Sequence, residues 1–313
     1  MNTFKKIGLT ALASSLVVTS AYAGEMSVSG SASMGVKNNS GTATGKSWTM
    51  GNQLTFSGGG ELDNGLNVSL SFVLDQADDT AASTGPFDGH SITISSDSLG
   101  TLVFAGEGGS TAIGGGAPLD LWDNGFGTAA SPDRALPSDN MLKYTLPSIA
   151  DGFGAVVSYT PKSGTAQTES STAWQLSYAG IEGLSLSYGQ GQDNGSVAGD
   201  GDQTKYSATY ALGPITAMYT VSDYDGLTAA DDEKVTTYQL SYTVSENISI
   251  SYANEEHDES NSGIDEEFDQ VSASYTSGGM TLSVAQTNAE NVANSSDTSA
   301  DMERWKLGAS FAF

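Results

Sequence analysis

Cysteine is absent from the 313 residues of this chain, which excludes disulfides and every thiolate metal site. Histidine occurs twice, as His90 and His257, far apart in sequence. There is no Cys/His pair, no G-x-S-x-G turn, no zinc-ligand spacing and no GK[ST] phosphate loop, so hydrolase, metalloenzyme and nucleotide-binding readings find no foothold. Proline is scarce at 7 residues, and charge is confined to 15% of positions, with 11 bases against 37 acids. A net charge of −26 opposes binding to a nucleic-acid backbone. No segment reaches the roughly 18 consecutive apolar residues that a membrane-crossing helix needs. Tyrosine is missing between Gly24 and Lys143.

The N-terminus has a different character. Lys5 and Lys6 precede an apolar stretch from Ile7 to Val18 and then Ala21-Tyr22-Ala23. That is the charged, apolar and small-x-small order of a secretory signal. The sequence therefore predicts a signal over residues 1–23, cleaved after Ala23, and a single domain over 24–313. Loss of Lys5 and Lys6 makes the exported chain more acidic still.

Beyond the signal the dominant pattern is period-two alternation, the mark of strands with one apolar and one polar face. Outward sets include Met26, Val28, Met34 and Val36; Leu66, Val68, Leu70 and Phe72; and Leu240, Tyr242 and Val244. Their neighbours are mostly Ser, Thr, Gly and Gln. Alternation predicts sixteen strands and no helix. They lie near 25–37, 47–58, 65–75, 89–96, 101–106, 140–146, 152–160, 171–179, 184–189, 203–211, 214–222, 234–243, 247–253, 266–276, 280–286 and 302–313. Short links alternate strictly with links of roughly nine to more than thirty residues, which is the connectivity of an up-and-down transmembrane barrel.

Charge placement agrees with that reading, because almost no acid falls in mid-strand on an apolar face, where the bilayer penalises it. The densest acidic segment holds Glu255, Glu256, Asp258, Glu259, Asp265, Glu266 and Glu267. It reads as a solvated acidic loop, or as a site for divalent cations such as Ca2+, which favour carboxylate oxygens and would bridge the loop to anionic lipopolysaccharide. Two shorter segments, Asp200-Gly201-Asp202 and Asp223-Tyr224-Asp225-Gly226, lack the full calcium-loop pattern and read as turns.

The chain ends in Trp305-Lys306-Leu307-Gly308-Ala309-Ser310-Phe311-Ala312-Phe313, an alternating strand whose backbone partners come from pairing with the first strand of a closed barrel. This ending resembles the C-terminal aromatic strand of outer-membrane proteins, which implies that Phe313 serves as a signal to the barrel-assembly machinery. Signal, sixteen strands, an oversized third loop and Phe313 together resemble a general Gram-negative outer-membrane porin of the Rhodobacter type. The resemblance implies a homotrimer of water-filled barrels in the outer membrane, without cofactor, passing small hydrophilic solutes by diffusion.

It also implies that the third loop, about 107–139, folds into the lumen and forms the constriction. Asp120, Asp123, Asp133, Arg134 and Asp139 are its charged residues, and Trp122 and Phe126 are its candidates for stacking on sugars. Facing parity nominates Lys37, Lys143, Lys205, Arg304 and Lys306 as inward, either opposing that loop or lining the rims. So few bases favour cation selectivity, because carboxylate rings attract cations. The tyrosine-free strands one to five are the expected trimer interface, since tyrosine marks walls that meet lipid headgroups. The alternatives are a solute-specific channel and a non-conducting adhesin or structural barrel.

Overall fold

The computed structural model describes residues 26–39, 45–75, 87–114, 119, 121, 136–162, 170–194, 200–228, 232–259, 262–297 and 300–313. The predicted signal at 1–23 lies outside them. Sixteen strands are present. The first eight are β1 (Met26–Asn39), β2 (Gly45–Glu61), β3 (Asn67–Asp75), β4 (Phe87–Ser96), β5 (Gly100–Glu107), β6 (Met141–Thr145), β7 (Phe153–Thr160) and β8 (Ser171–Ile181). The second eight are β9 (Leu184–Asn194), β10 (Asp200–Leu212), β11 (Ile215–Gly226), β12 (Glu233–Ser245), β13 (Ile248–Glu259), β14 (Glu266–Ser277), β15 (Met280–Glu290) and β16 (Met302–Ala312). Each pairs antiparallel with its sequence neighbours, and β16 pairs with β1, so the sheet closes into a barrel. Among the described residues no helix is long and apolar enough to cross a membrane.

Closure runs from Ser31 opposite Ala312 to Asn39 opposite Arg304. One further pair completes it. Gly30 N donates to Phe313 O at 2.7 Å, and Phe313 N donates to Gly30 O at 3.0 Å. The Phe313 ring lies over Gly30 so closely that a Cβ there would stand 2.6 Å from it. A side chain here would have to displace the ring or Leu54 Cδ2, which stands 2.9 Å away.

Alternation decides which face each residue takes. Exposed apolar side chains such as Val28, Leu70, Leu176, Leu240, Val271 and Leu307 cover the outside. Serine and threonine fill the inside and bond to one another across strands: Ser187 to Ser207 at 2.7 Å, Ser249 to Ser274 at 2.8 Å, and Ser251 to Ser272 at 2.7 Å. A hydroxyl is both donor and acceptor, so facing serines satisfy each other. Tyr178, Tyr210, Tyr242 and Tyr275 mark one edge of the outer band, and Tyr188, Tyr206, Tyr219, Tyr238 and Tyr252 mark the other. Tyr224 is the exception: it is buried on the inner face, its ring resting on Gly201.

Strands overrun their predicted ends at the rim opposite the tight turns. The link between β1 and β2 covers only 40–44, and that between β9 and β10 only 195–199, so the predicted minimum of roughly nine residues for the long links is corrected. Asp200-Gly201-Asp202 and Asp223–Gly226 are not turns. They continue β10 and β11 and pair with each other, Asp202 opposite Asp225 and Gly201 opposite Gly226. Hydrogen-bond ladders need no apolar side chains, so the sheet extends past the apolar band on polar sequence.

Candidate functional site: the lumen and its third loop

The link between β5 and β6 spans 108–140. Its foot is closed by Asp139, whose Oδ1 accepts from Gly108 N at 3.1 Å, and by Asn140 N donating to Gly106 O at 3.1 Å. From there the loop turns inward. Lys143 Nζ donates to Ser110 O at 3.0 Å, and Ala112 N donates to Ser158 Oγ at 2.9 Å. Ala112, Ile113 and Leu136 form a buried cluster with Ala173 of β8, and Val156 of β7 packs against it. The loop fits because β9 offers slots there: a Cβ on Gly191 would stand 2.3 Å from Leu136 Cδ1 and 2.9 Å from Ile113 Cδ1. The hydroxyls of Thr160 and Ser171 both donate to Pro137 O, at 2.7 and 2.8 Å.

Leu121 reaches a second part of the wall. It packs with Ala253, Phe268, Ala289, Val292 and Met302, and its N–H donates to Glu255 Oε2 at 3.0 Å. In the half of β8 to β14 nearer the loop, inward side chains such as Ser171, Gln203, Lys205, Ser222, Thr237 and Phe268 are buried, whereas toward the tight turns Ser185 is exposed and Ser187, Ser207, Ser241 and Ser249 are partly so. The inner face of β1 to β4 differs. Ser27, Ser29, Ser31 and Ser33 are exposed, and Gln53, Thr55, Ser71, Ser91 and Thr93 are partly so. An accessible hydroxylated wall therefore stands opposite the wall that carries the loop.

A profile of the Gram-negative porin family matches residues 8–312. The chain belongs to that family. It is an outer-membrane porin, and the family is one of channel proteins. The fold is shared with the anion-selective porin from Comamonas acidovorans at 15% identity and TM-score 0.70, covering 92% of this chain and 99% of that one. It is also shared with a Salmonella typhi OmpF complex with daunomycin, at 10% identity and TM-score 0.71, covering 93% and 98%. A triple mutant of the Rhodopseudomonas blastica porin matches at 17% identity and TM-score 0.66, covering 92% and 100%. A search of curated proteins gives no match.

In this porin the five nominated bases do not form one wall. Lys37 and Lys306 stand directly opposite each other across the β1–β16 seam, and Arg304, two residues from Lys306 on β16, is buried at 2% exposure. Lys143 holds the loop foot, and Lys205 is buried on β10. Of the loop charges, Asp120, Asp123, Asp133 and Arg134 lie outside the described residues, as do Trp122 and Phe126. Asp139 is exposed at the foot and ties it to Gly108.

The acidic loop is corrected. Glu255, Glu256, Asp258 and Glu259 belong to β13, and Glu266 and Glu267 to β14; of the seven only Asp265 is in the link. Alternation then divides the strand carboxylates between the two faces. Glu255 and Glu266 are buried inside, whereas Glu256, Asp258 and Glu267 are exposed outside. Among the described residues no three His, Asp or Glu side chains are arranged to hold a metal ion. Inside, His257 stands between Glu255 Oε1 at 2.7 Å and Glu266 Oε2 at 3.3 Å, one carboxylate to each ring nitrogen. Glu266 Oε1 also accepts from Ala293 N at 2.5 Å, so the cluster fastens the link between β15 and β16 as well as Leu121. Sequence reading missed this latch. Its signal was the i, i+2 spacing of Glu255 and His257, which puts both on one face of a strand.

Proposed function

We propose that this porin passes small hydrophilic solutes and ions by passive diffusion, prefers cations and works as a homotrimer. The observation that carries the diffusion reading is an accessible, hydroxylated inner surface, continuous along β1 to β4 and interrupted on β8 to β14 only in the half where the third loop lies. Sixteen strands enclose a lumen wide enough for an aqueous path. Cation preference rests on the excess of 37 acids over 11 bases, since burial withdraws bases (Arg304, Lys205) and acids (Asp193, Glu255, Glu266) alike. The anion-selective Comamonas porin has the same fold, so the sign depends on side chains. Trimerisation rests on the tyrosine-free outer face of β1 to β5.

The test is single-channel recording of the refolded protein under a potassium chloride gradient. Stepwise currents in threes with a reversal potential toward that of potassium are expected. A reversal toward chloride overturns the preference, and silence from verified folded protein overturns the open pore. Replacing Asp120 and Asp123 by Asn should reduce the preference if these carboxylates stand at the constriction; an unchanged reversal potential removes them from it.

A further inference from the structure

On the outer face of β8 to β10, just beyond the tyrosine belt, six side chains surround a cavity of about 270 Å3: Thr172, Trp174, Gln190, Gln192, Asp202 and Thr204. Register places them in two rows. Trp174, Gln190 and Thr204 stand side by side, and Thr172, Gln192 and Asp202 stand one step further from the membrane. One step the other way the row becomes Leu176, Tyr188 and Tyr206. Below it opens a groove of about 430 Å3, lined chiefly by apolar residues that include Leu186, Ala208 and Tyr219. A polar pocket thus sits directly on top of an apolar groove, in a wall that faces the bilayer.

We propose that this pocket and groove together bind a glycolipid of the outer leaflet, the sugar in the pocket and an acyl chain in the groove. The chemistry of the lining selects a sugar over a phosphate. Two carboxamides and two hydroxyls both donate and accept, as a polyol requires, and the Asp202 carboxylate accepts from paired hydroxyls. Among the described residues no Lys or Arg lines the pocket, so a phosphate would meet the Asp202 carboxylate with no base there to pair it. Trp174, its ring centroid 5.7 Å from that of Tyr188, offers an apolar face for the C–H side of a pyranose while sitting at the interface that such amphipathic rings favour. At the same level β13 to β15 present a different chemistry: Glu256 opposes Glu267, which opposes Glu290. The neutral pocket is therefore a local property of β8 to β10 and not of the whole rim.

The test places the protein in nanodiscs of phosphatidylcholine doped with either a monoglucosyl diacylglycerol or phosphatidylglycerol, and reads the lipid retained by native mass spectrometry. Retention of the glucosyl lipid is expected to exceed that of phosphatidylglycerol by about tenfold, and the Gln190→Leu/Gln192→Leu double variant is expected to abolish the difference. Asp202→Asn serves as the conservative second variant, expected to weaken the preference without removing it. Equal retention of the two lipids by the native chain, or an unchanged preference in the double variant, overturns the proposal. So does a crosslink showing another protomer seated on Trp174. Channel conductance, which does not involve these outward residues, reports separately on folding and on the diffusion reading.

Discussion

The ring of Phe313 takes the space in which a side chain at position 30 would stand, so the last residue of the chain and a glycine near its start are chosen together. Gly30→Val should displace the ring and cost about 1–3 kcal/mol, the usual penalty of overpacking. In a Phe313→Ala background the same change should cost less, because only the contact with Leu54 Cδ2 at 2.9 Å remains. A double-mutant cycle of denaturant midpoints measures that coupling, and strict additivity would show that ring and glycine act independently. Gly191 follows the same logic inside the barrel. There Leu136 Cδ1 and Ile113 Cδ1 occupy the space that a side chain would need, so Gly191→Leu should push the third loop off β9. The expected result is an altered single-channel conductance with the barrel still resistant to unfolding by detergent at room temperature. A wild-type conductance would mean that the loop keeps its seat by another route.

At the scale of the element, the third loop is held at both of its described contacts by a mixture of apolar packing and buried hydrogen bonds. The second contact depends on Glu255, which serves Leu121 N with one oxygen and His257 Nε2 with the other. Glu255→Ala removes the partner of His257 Nε2 and the acceptor of Leu121 N in a buried place while His257 Nδ1 keeps Glu266, a loss of about 1–3 kcal/mol for a buried group left unsatisfied. Because the barrel ladder itself is untouched, that loss should appear as a loosened loop: noisier open-channel current and closure at lower voltage, with Glu255→Gln much closer to the native trace. Equal noise in both variants would place the anchor elsewhere. How much of this could be read in the sequence follows from its physics. Alternation exposes a lipid-facing strand because every second residue must be apolar, so Leu66–Phe72 and Leu240–Val244 announced themselves. Past the bilayer that requirement ends, and Asn254–Glu259 looks like loop although its backbone continues the ladder with β12 and β14. Parity placed Lys37 and Lys306 on one face, whereas their direct opposition depends on the β1–β16 register, which closure fixes and no local pattern reveals.

For the whole molecule, closure of the sheet removes every strand edge, so assembly into trimers has to proceed through side chains on the outer wall. That wall is uneven. From β6 onward it carries eleven outward-facing or rim tyrosines by position, from Tyr144 to Tyr275, whereas β1 to β5 carry none and expose Met26, Val28, Met34, Met50, Ile92 and Ile94 instead. Tyrosine hydroxyls are well placed against lipid headgroups; against another protein wall they would need partners, and methionine, valine and isoleucine would not. A closed three-fold ring uses two different patches on each subunit, so a single cysteine need not find its own copy. The cysteine-free chain allows a direct test with two: Val28→Cys with Ile94→Cys on the tyrosine-free face, and Leu176→Cys with Leu240→Cys on the tyrosine-bearing one. Under a short bis-maleimide the first pair should give dimers and trimers on denaturing gels and the second only monomers. The reverse pattern would move the interface onto the tyrosine-bearing wall, and would at once compete with the lipid pocket beside Trp174, since the same surface cannot serve a protomer and a glycolipid together.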